Sequence, residues 1–148
     1  MNGTEIDRVL RRNCPIYRGV YAADELPNFA HNLRPMVIVA NTDPMDLPGT
    51  HWVCLYFDAN NIGEYFDSFG SRATRGFANY MNSNCNSWTH NDRQLQSIIS
   101  RYCGAYCVWF CIMKSRGYSM NNIVRSLTND TALNDHLVHK FSCRMLKF

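Results

Sequence analysis

The stretch that most constrains this chain runs from Gln96 to Cys111, where a polar, irregular approach gives way to an apolar run. The run after Cys103-Gly104 is apolar and aromatic all round, which predicts a buried helix. Cys103 then falls at or next to the first turn of that helix, where unpaired backbone N–H groups and the positive dipole end favour a thiolate. Such a thiol is a candidate nucleophile, provided that a histidine and an acid can reach it.

Composition limits the kind of protein that could carry this thiol. The chain has 148 residues, of which 46% are hydrophobic, and this suits a single globular domain over residues 1–148. Its apolar runs are far shorter than the roughly 20 residues of a membrane span, and the start of the sequence lacks the apolar core of a signal peptide. We therefore expect a monomeric, intracellular protein without a membrane partner, whose seven cysteines are mostly reduced and buried.

The order of the segments predicts an α+β fold with a central, mainly antiparallel sheet flanked by helices. Three runs rich in β-branched and aromatic residues are separated by turn signals, and the short gap between the last two predicts an antiparallel hairpin. Residues 82–91 are polar and predict turns. The predicted helices lie near 5–13, 72–81, 104–114, 120–127 and 133–145, and the predicted strands are 17–21, 36–41, 51–58, 62–69 and a piece of 93–99.

His51 is the best placed of the five histidines to serve Cys103. It begins a predicted strand directly after a Pro-Gly-Thr turn, and Trp52 follows it as a large side chain able to cover a neighbouring ring. A histidine at the start of a strand lies on the rim of the sheet, where a rigid scaffold presents side chains to a cleft. The alternative is a hydrogen-bonded structural histidine.

An acid is needed to orient the imidazole and to stabilise its charged form. Asp67 ends the strand that is predicted to pair with the strand of His51, and in an antiparallel hairpin these two ends are neighbours. Asp58 lies at the opposite, turn end of the hairpin. Glu64 is the rival, but it precedes Asp67 by three residues and is expected on the other, solvated face of the strand. A bulge in the ladder would reverse this assignment.

Acyl transfer also needs hydrogen-bond donors for the developing oxyanion. The backbone N–H of Cys103 is one candidate. Gln96, seven residues earlier, could supply a side-chain amide, with Gln94 as its competitor. A glutamine in a polar loop could equally be a solvated residue without a catalytic role.

The cysteines of the predicted helix raise the alternative of a metal site. Cys103, Cys107 and Cys111 repeat every four residues and would line one side of the helix. Structural zinc usually takes closely spaced Cys pairs from loops, and the sequence contains no Cys-x-x-Cys pair. Cys107 and Cys111 are therefore predicted to be core residues, and neither a metal nor an organic cofactor is expected.

Taken together, these residues resemble the adenovirus-type cysteine endopeptidases, the adenain family, which is related to the Ulp/SENP proteases of ubiquitin-like proteins. The resemblance rests on GTHW at 49–52, YFDSFG at 65–70, and Gln96-(x6)-Cys103-Gly104 before the aromatic helix. The order histidine, acid, glutamine, cysteine also matches, so the resemblance spans most of the chain. Tyr102 stands where Ulp/SENP enzymes commonly have an aspartate, which favours the adenain side.

Carried onto this sequence, the resemblance implies a role for each candidate residue. Cys103 is the implied nucleophile, His51 the general base and acid, and Asp67 the orienting acid. Gln96 is the implied side-chain donor of the oxyanion hole. Adenovirus enzymes often have glutamate as the acid, so Asp67 is a shorter alternative that the Ulp branch also uses.

The resemblance further implies a substrate and a setting. Adenovirus proteases mature viral capsid and core precursor proteins, which places the expected activity in the virion and the host nucleus. The family prefers small residues next to the cut, and this implies a narrow cleft with Trp52 as a wall and Gly104 as a further substrate-binding position. The alternatives are a deconjugase of ubiquitin-like proteins and a non-catalytic module that binds capsid protein or DNA.

Adenovirus proteases are stimulated by DNA and by a short viral peptide that attaches through a disulfide. Without gaps, Cys85 falls on the peptide-linked position, so the resemblance implies an activating peptide at Cys85. Its polar neighbours predict an exposed thiol, and the alternative role is an unpaired surface cysteine. The net charge of +3 permits DNA binding without requiring it. The candidate basic surface consists of Arg8, Arg11, Arg12, Arg72, Arg75, Arg93 and Arg101.

Overall fold

Five strands and five helices make up the part of the chain that the computed structural model describes, residues 1–43 and 51–147. The turn predicted before His51, including Gly49 and Thr50 of the GTHW motif, lies outside these residues. A short 3-10 helix at His31–Leu33 precedes the second strand. The strands are β1 (Tyr17–Tyr21), β2 (Met36–Asn41), β3 (Trp52–Phe57), β4 (Ile62–Phe66) and β5 (Ser87–His90), and the helices are α1 (Gly3–Asn13), α2 (Arg75–Asn84), α3 (Cys103–Ser115), α4 (Met120–Arg125) and α5 (Thr131–Leu146).

The strands form one sheet in sequence order, β1-β2-β3-β4-β5. The three central strands pair antiparallel, and β3 and β4 form the predicted hairpin, with Tyr56 opposite Glu64. Both outer strands pair parallel, β1 with β2 and β5 with β4. The predicted α+β class with an antiparallel centre is confirmed, and the sheet as a whole is mixed because of its two edge pairs.

Helices cover both faces of the sheet. Val37 and Val39 of β2 belong to the core on the side of α1, α3, α4 and α5, whereas Ile38 belongs to the core on the side of α2. Successive side chains of a strand point to opposite faces, so the unbroken apolar run of β2 matches a strand that is buried on both faces. All six residues of β2 are buried.

Helix α3 is buried over ten consecutive residues, 103–112, as its apolar sequence predicts. Phe110 stacks on Phe66 of β4 with ring centroids 4.4 Å apart. The Sγ atoms of Cys54 and Cys111 lie 3.7 Å apart, and burial raises the pKa of Cys107 to about 11. The prediction that Cys107 and Cys111 are core residues is confirmed. α3 is therefore fixed against the centre of the sheet.

Two segments differ from their sequence predictions. Residues 87–90 form β5 rather than turns, because an edge strand can be held by backbone hydrogen bonds to β4 without an apolar pattern of its own. The strand predicted within 93–99 is wrong. There, the N–H groups of Leu95 and Gln96 both donate to the carbonyl of Ser68, which ties a loop to the end of β4 without forming a ladder.

Gly70 allows this loop to approach the turn that follows β4. Its φ is +72°, a left-handed conformation that favours glycine, and a Cβ would lie 2.7 Å from the carbonyl carbon of Arg93. Gly117, the predicted stop after α3, also has a positive φ, +92°. A Cβ at Gly117 would meet no heavy atom within 4 Å among the residues described. A residue with a side chain would thus be strained at either position, but only at Gly70 would its Cβ also meet a close neighbour.

We expect Gly117→Ala to lower the free energy of unfolding by about 1 kcal/mol, the cost of a left-handed backbone for an L-residue. Gly70→Ala should lower it by about 3 kcal/mol, because the clash with the 93–94 backbone adds to that cost. Urea unfolding of both variants and the wild type measures the difference. Equal losses would show that the 93–94 backbone shifts without cost.

Candidate active site

Cys103 is the first residue of α3 and is only 8% exposed. The predicted position of the thiol at the start of the helix is therefore confirmed. Burial raises the pKa of Cys103, but the neighbouring His51 side chain and the backbone N–H groups of Trp52 and Gly104 outweigh it and hold the pKa below its ordinary value. A cation and backbone donors around a thiol favour the thiolate.

His51 directly precedes β3 and is held between the acid and the thiol. Its Nε2 lies 2.8 Å from Oδ1 of Asp67, which leaves Nδ1 for Cys103. Among the residues described, Nδ1 has no well-aligned hydrogen-bond partner, and such contacts are often long before substrate binds. Burial lowers the pKa of His51, but the hydrogen bond to Asp67 and the contact with Cys103 raise it to about 9. The imidazole therefore favours its charged form.

The Asp67 carboxylate is fixed by more than His51. Its Oδ1 also accepts a hydrogen bond from the Phe69 N–H at 2.8 Å. Asn91 brackets the backbone of Asp67: the Asp67 N–H donates to Oδ1 of Asn91 at 2.9 Å, and Nδ2 of Asn91 donates to the Asp67 carbonyl at 2.6 Å. Asp67 and Asn91 are both buried, so these hydrogen bonds are shielded from water and define the direction of the carboxylate.

Phe69 and Asn91 are parts of the site that the sequence interpretation missed. The Phe69 ring stacks on the His51 ring, with centroids 4.8 Å apart and planes at 28°, so it restrains the imidazole on one face. Phe69 lies in the YFDSFG motif next to Asp67, and that proximity was an available signal. Asn91 had no comparable local signal, because it contacts a residue 24 positions away.

Glu64, the rival acid, has a different partner. Its Oε1 lies 2.7 Å from Nζ of Lys114 on α3, and that ammonium also lies 4.2 Å from the centre of the Tyr56 ring. The prediction that Glu64 occupies a solvated face is wrong, because α3 covers that face of the sheet and supplies a cation. The structure thus brings Asp67 to His51 and Glu64 to Lys114.

Gln96 is fully buried, and both ends of its carboxamide are engaged. Its Oε1 accepts a hydrogen bond from Oγ of Ser68 at 2.5 Å. Its Nε2 donates to the carbonyl oxygen and to Oγ of Ser100, at 3.1 and 3.0 Å. The competitor Gln94 turns back and donates to the carbonyl of Gln96. Gln96 is therefore the glutamine that reaches the thiol cleft, with Ser100 holding its amide nitrogen.

His51, Gln96 and Cys103 line one cleft of about 580 Å³, within the range of ligand-binding pockets. Trp52 is part of its wall, and Gly3 leaves room for the edge of the Trp52 indole. Gly104 lies close to α1, since a Cβ at this position would lie 3.1 Å from Cδ1 of Ile6. The substrate roles of Trp52 and Gly104 stay predictions. The lining residues are Met1, Asn2, His51, Trp52, Phe69, Gln96, Ser100, Arg101 and Cys103.

Cys85 lies at the end of α2, and its side chain turns toward the sheet. Its Sγ donates to the carbonyl of Met81 at 3.1 Å and would lie 2.8 Å from a Cβ at Gly63. Burial raises the pKa of this thiol. The predicted exposed thiol is therefore half-buried, because only its polar sequence neighbours face outward. The disulfide role of Cys85 stays a prediction.

The described residues give no support to two other kinds of site. No group of three or more His, Cys, Asp or Glu side chains within 1–43 and 51–147 is arranged to hold a metal ion. In the same ranges, every helix is too short or too polar to cross a bilayer.

The chain is similar in sequence to a viral protease. No protein-family profile matches the chain. The sequence is 27% identical to the protease of bovine adenovirus 4, in a match that covers 65% of this chain and 56% of that protein. The chain thus spans little more than half of its curated relative.

Solved structures show the same fold. The ASFV pS273R protease superposes with a TM-score of 0.62 at 17% identity, over 93% of this chain and 66% of that one. ChlaDub1 from Chlamydia trachomatis gives a TM-score of 0.53 at 15% identity, over 97% of this chain and 74% of that one. The resemblance to adenovirus-type cysteine endopeptidases and the predicted adenain/Ulp-like fold are confirmed.

We expect Cys103 to react with iodoacetamide well below the pH at which a free thiol ionises, because the His51 cation lowers its pKa. In His51→Ala the cation is gone and burial raises the pKa of Cys103, so the rate at pH 6 should fall by about 10-fold, in proportion to the thiolate. The rate of alkylation against pH measures both proteins.

His136→Ala is the matched control, since it removes an exposed histidine of α5 and should leave the alkylation profile unchanged. The raised pKa of His51 also predicts how the free energy of unfolding depends on pH. The charged imidazole stabilises the folded protein fully below its unfolded pKa of about 6.5, and this stabilisation is lost as the pH rises through about 9. Identical alkylation profiles for wild type and His51→Ala would contradict the ion pair.

Proposed function

We propose that this protein is a viral cysteine endopeptidase in which Cys103, His51 and Asp67 form a catalytic triad. One observation carries the proposal: His51 lies 2.8 Å from Asp67 and lines the same cleft as Cys103, and these surroundings lower the pKa of Cys103 while they raise the pKa of His51 to about 9. Opposite shifts in adjacent groups favour a thiolate beside an imidazolium, which supplies a nucleophile and a proton donor together. The similarity to the protease of bovine adenovirus 4 supports cleavage of peptide bonds.

The mechanism is acyl transfer in two halves. The Cys103 thiolate attacks the scissile carbonyl, and the carbonyl π electrons move to oxygen to form a tetrahedral oxyanion. As the carbonyl re-forms, the C–N bond breaks and the His51 imidazolium protonates the leaving amine. His51 then takes a proton from water, which attacks the thioester and releases the carboxylic acid and the Cys103 thiolate.

The oxyanion is held by the backbone N–H of Cys103 and the side-chain amide of Gln96. In the resting arrangement Nε2 of Gln96 is bound to Ser100. The oxyanion therefore replaces Ser100 as the acceptor, which requires a small shift of the 97–101 segment. An anion accepts a stronger hydrogen bond than a neutral carbonyl or hydroxyl, so the exchange favours the transition state over the resting state.

The proposed substrates are viral capsid and core precursor proteins, cut beside small residues during virion maturation in the virion and host nucleus. An activating viral peptide bound at Cys85, and DNA, belong to the same proposal. The arginines offer mixed support for DNA. Arg11 pairs with Asp7 at 2.8 Å, and Arg93 donates to the carbonyls of Leu127 and Thr128, so these two are committed to intramolecular contacts.

The direct test is cleavage of glycine-containing capsid-type peptides, compared with release of the C-terminal tail from ubiquitin-like proteins. We expect cleavage of the peptides, none by Cys103→Ala, and a kcat at least about 100-fold lower in Asp67→Asn, which misorients the imidazole. Preferred processing of ubiquitin-like proteins would point to the deconjugase. Absence of cleavage together with slow alkylation of Cys103 would point to a binding module.

Glu64→Gln is the matched carboxylate control for Asp67→Asn. It leaves the Lys114 charge mostly buried without its partner, so it should lower stability while the folded protein keeps its kcat. Kinetics are therefore compared below the unfolding transition of each variant. A larger loss of kcat in Glu64→Gln than in Asp67→Asn would overturn the choice of acid.

The role of Cys85 has its own test. Its thiol is half-buried against Gly63 and Met81, so a disulfide requires the side chain to turn outward, and we expect slow formation with a cysteine-bearing activating peptide. Cys85→Ser should abolish the covalent adduct and any activation that depends on it, whereas Cys143→Ser, at the other half-buried cysteine, should not. Activation that survives Cys85→Ser rules out the disulfide.

A further inference from the structure

We propose that Ser68 is a positioning residue of this site, whose hydroxyl holds the carboxamide of Gln96 so that its amide nitrogen faces the cleft. The inference rests on the proposed function, because it matters only if Gln96 donates to an oxyanion. Ser68 is 1% exposed and, among the residues described, is not one of those that line the cleft. It therefore acts through Gln96 and not on the substrate.

The orientation of the Gln96 carboxamide follows from its neighbours. A backbone carbonyl can only accept a hydrogen bond, so the atom of Gln96 that faces the Ser100 carbonyl is the nitrogen. The oxygen then faces the opposite way, toward Oγ of Ser68, which donates to it at 2.5 Å. Ser100 lines the cleft, so the nitrogen is on the cleft side and the oxygen on the buried side.

Ser68 becomes the main side-chain restraint once the substrate arrives. The oxyanion takes the place of Ser100 at the amide nitrogen, and the contact that then holds the other end of the carboxamide is the Ser68 hydroxyl. Without it the carboxamide could rotate about its terminal bond, a torsion with a broad energy profile. A donor that must be aimed at the oxyanion before the reaction loses much of its effect when it can rotate.

The backbone strengthens this argument. The Ser68 carbonyl accepts hydrogen bonds from the N–H groups of Leu95 and Gln96, at 2.9 and 3.0 Å, so Ser68 contacts Gln96 through both its backbone and its side chain. Its sequence neighbours Asp67 and Phe69 both contact His51. Three consecutive residues thus hold the two halves of the site, the imidazole and the amide donor, at a fixed separation.

A purely structural role for the hydroxyl must be separated from positioning. Ser142 on α5 is the matched control, since it is also 1% exposed and its Oγ donates to the His139 carbonyl at 2.9 Å. Ser142→Ala therefore removes a buried, hydrogen-bonded hydroxyl of the same kind outside the cleft. Both variants should be somewhat less stable than the wild type, but only Ser68→Ala should affect peptide cleavage.

The experiment measures kcat, KM and the alkylation rate of Cys103 in the full chain. Losing an oxyanion donor costs about 10²–10³-fold in kcat, so Ser68→Ala, which loosens the donor, should lower kcat by about 10-fold, with KM and alkylation unchanged. In a Gln96→Ala background Ser68→Ala should cause no further loss, since its effect passes through Gln96. Ser68→Thr keeps the hydroxyl and should retain more activity than Ser68→Ala.

Several results would overturn the inference. These are an unchanged kcat in Ser68→Ala, equal losses in the presence and absence of Gln96, or slower alkylation of Cys103 in parallel with kcat. If Ser68→Ala does not fold, the test uses Ser68→Thr. A loss of kcat in Ser68→Thr that also appears in the Gln96→Ala background contradicts positioning.

An unchanged kcat in Gln96→Ala rejects both the oxyanion role of Gln96 and the positioning role of Ser68, while cleavage by that variant leaves the endopeptidase proposal in place. Absence of cleavage by the wild type rejects both.

Discussion

The hydrogen bond between the Asp67 carboxylate and Nε2 of His51 is the contact on which the candidate site depends. It exists because β3 and β4 pair antiparallel with Cys54 opposite Phe66, a register that carries the end of one strand to the start of the other. The two donors to Oδ1, His51 and the Phe69 N–H, fix the carboxylate in a buried environment, where a charged hydrogen bond is stronger than in water. The raised pKa of His51 is the electrostatic consequence.

The second requirement is that the thiol meets this imidazole at the start of a buried helix. α3 supplies the positive end of its dipole and unpaired N–H groups at Cys103, and its packing against Phe66 and Cys54 holds the helix at a fixed depth in the sheet. The loop before α3 is attached to the end of β4 through Ser68 and Gly70. The Asp67 carboxylate and the Gln96 amide are therefore both held by the end of β4, whereas the Cys103 thiol is held by α3.

Much of this arrangement could be predicted, because it follows from local patterns. The apolar run after Cys103 and the short gap between two strand-like segments each report on a few adjacent residues. The errors concern contacts that a local pattern does not contain. The partner of Glu64 comes from α3, and Asn91 reaches Asp67 from 24 positions away. Cys85 turns inward within a polar stretch, and β5 is held by the backbone of β4, so in both cases the side-chain pattern was a poor guide.

The thiols of this chain differ in pKa because their surroundings differ. Cys14 and Cys107 have pKa values raised by burial to about 12 and about 11, and burial also raises the pKa of Cys54. Cys103 belongs to the same helix as Cys107, yet its pKa is shifted in the opposite direction. In neutral water the surroundings therefore favour the thiolate at Cys103 and the protonated thiol at Cys107, one turn further along the helix. The packing that holds α3 in place therefore also shields the core thiols from electrophiles.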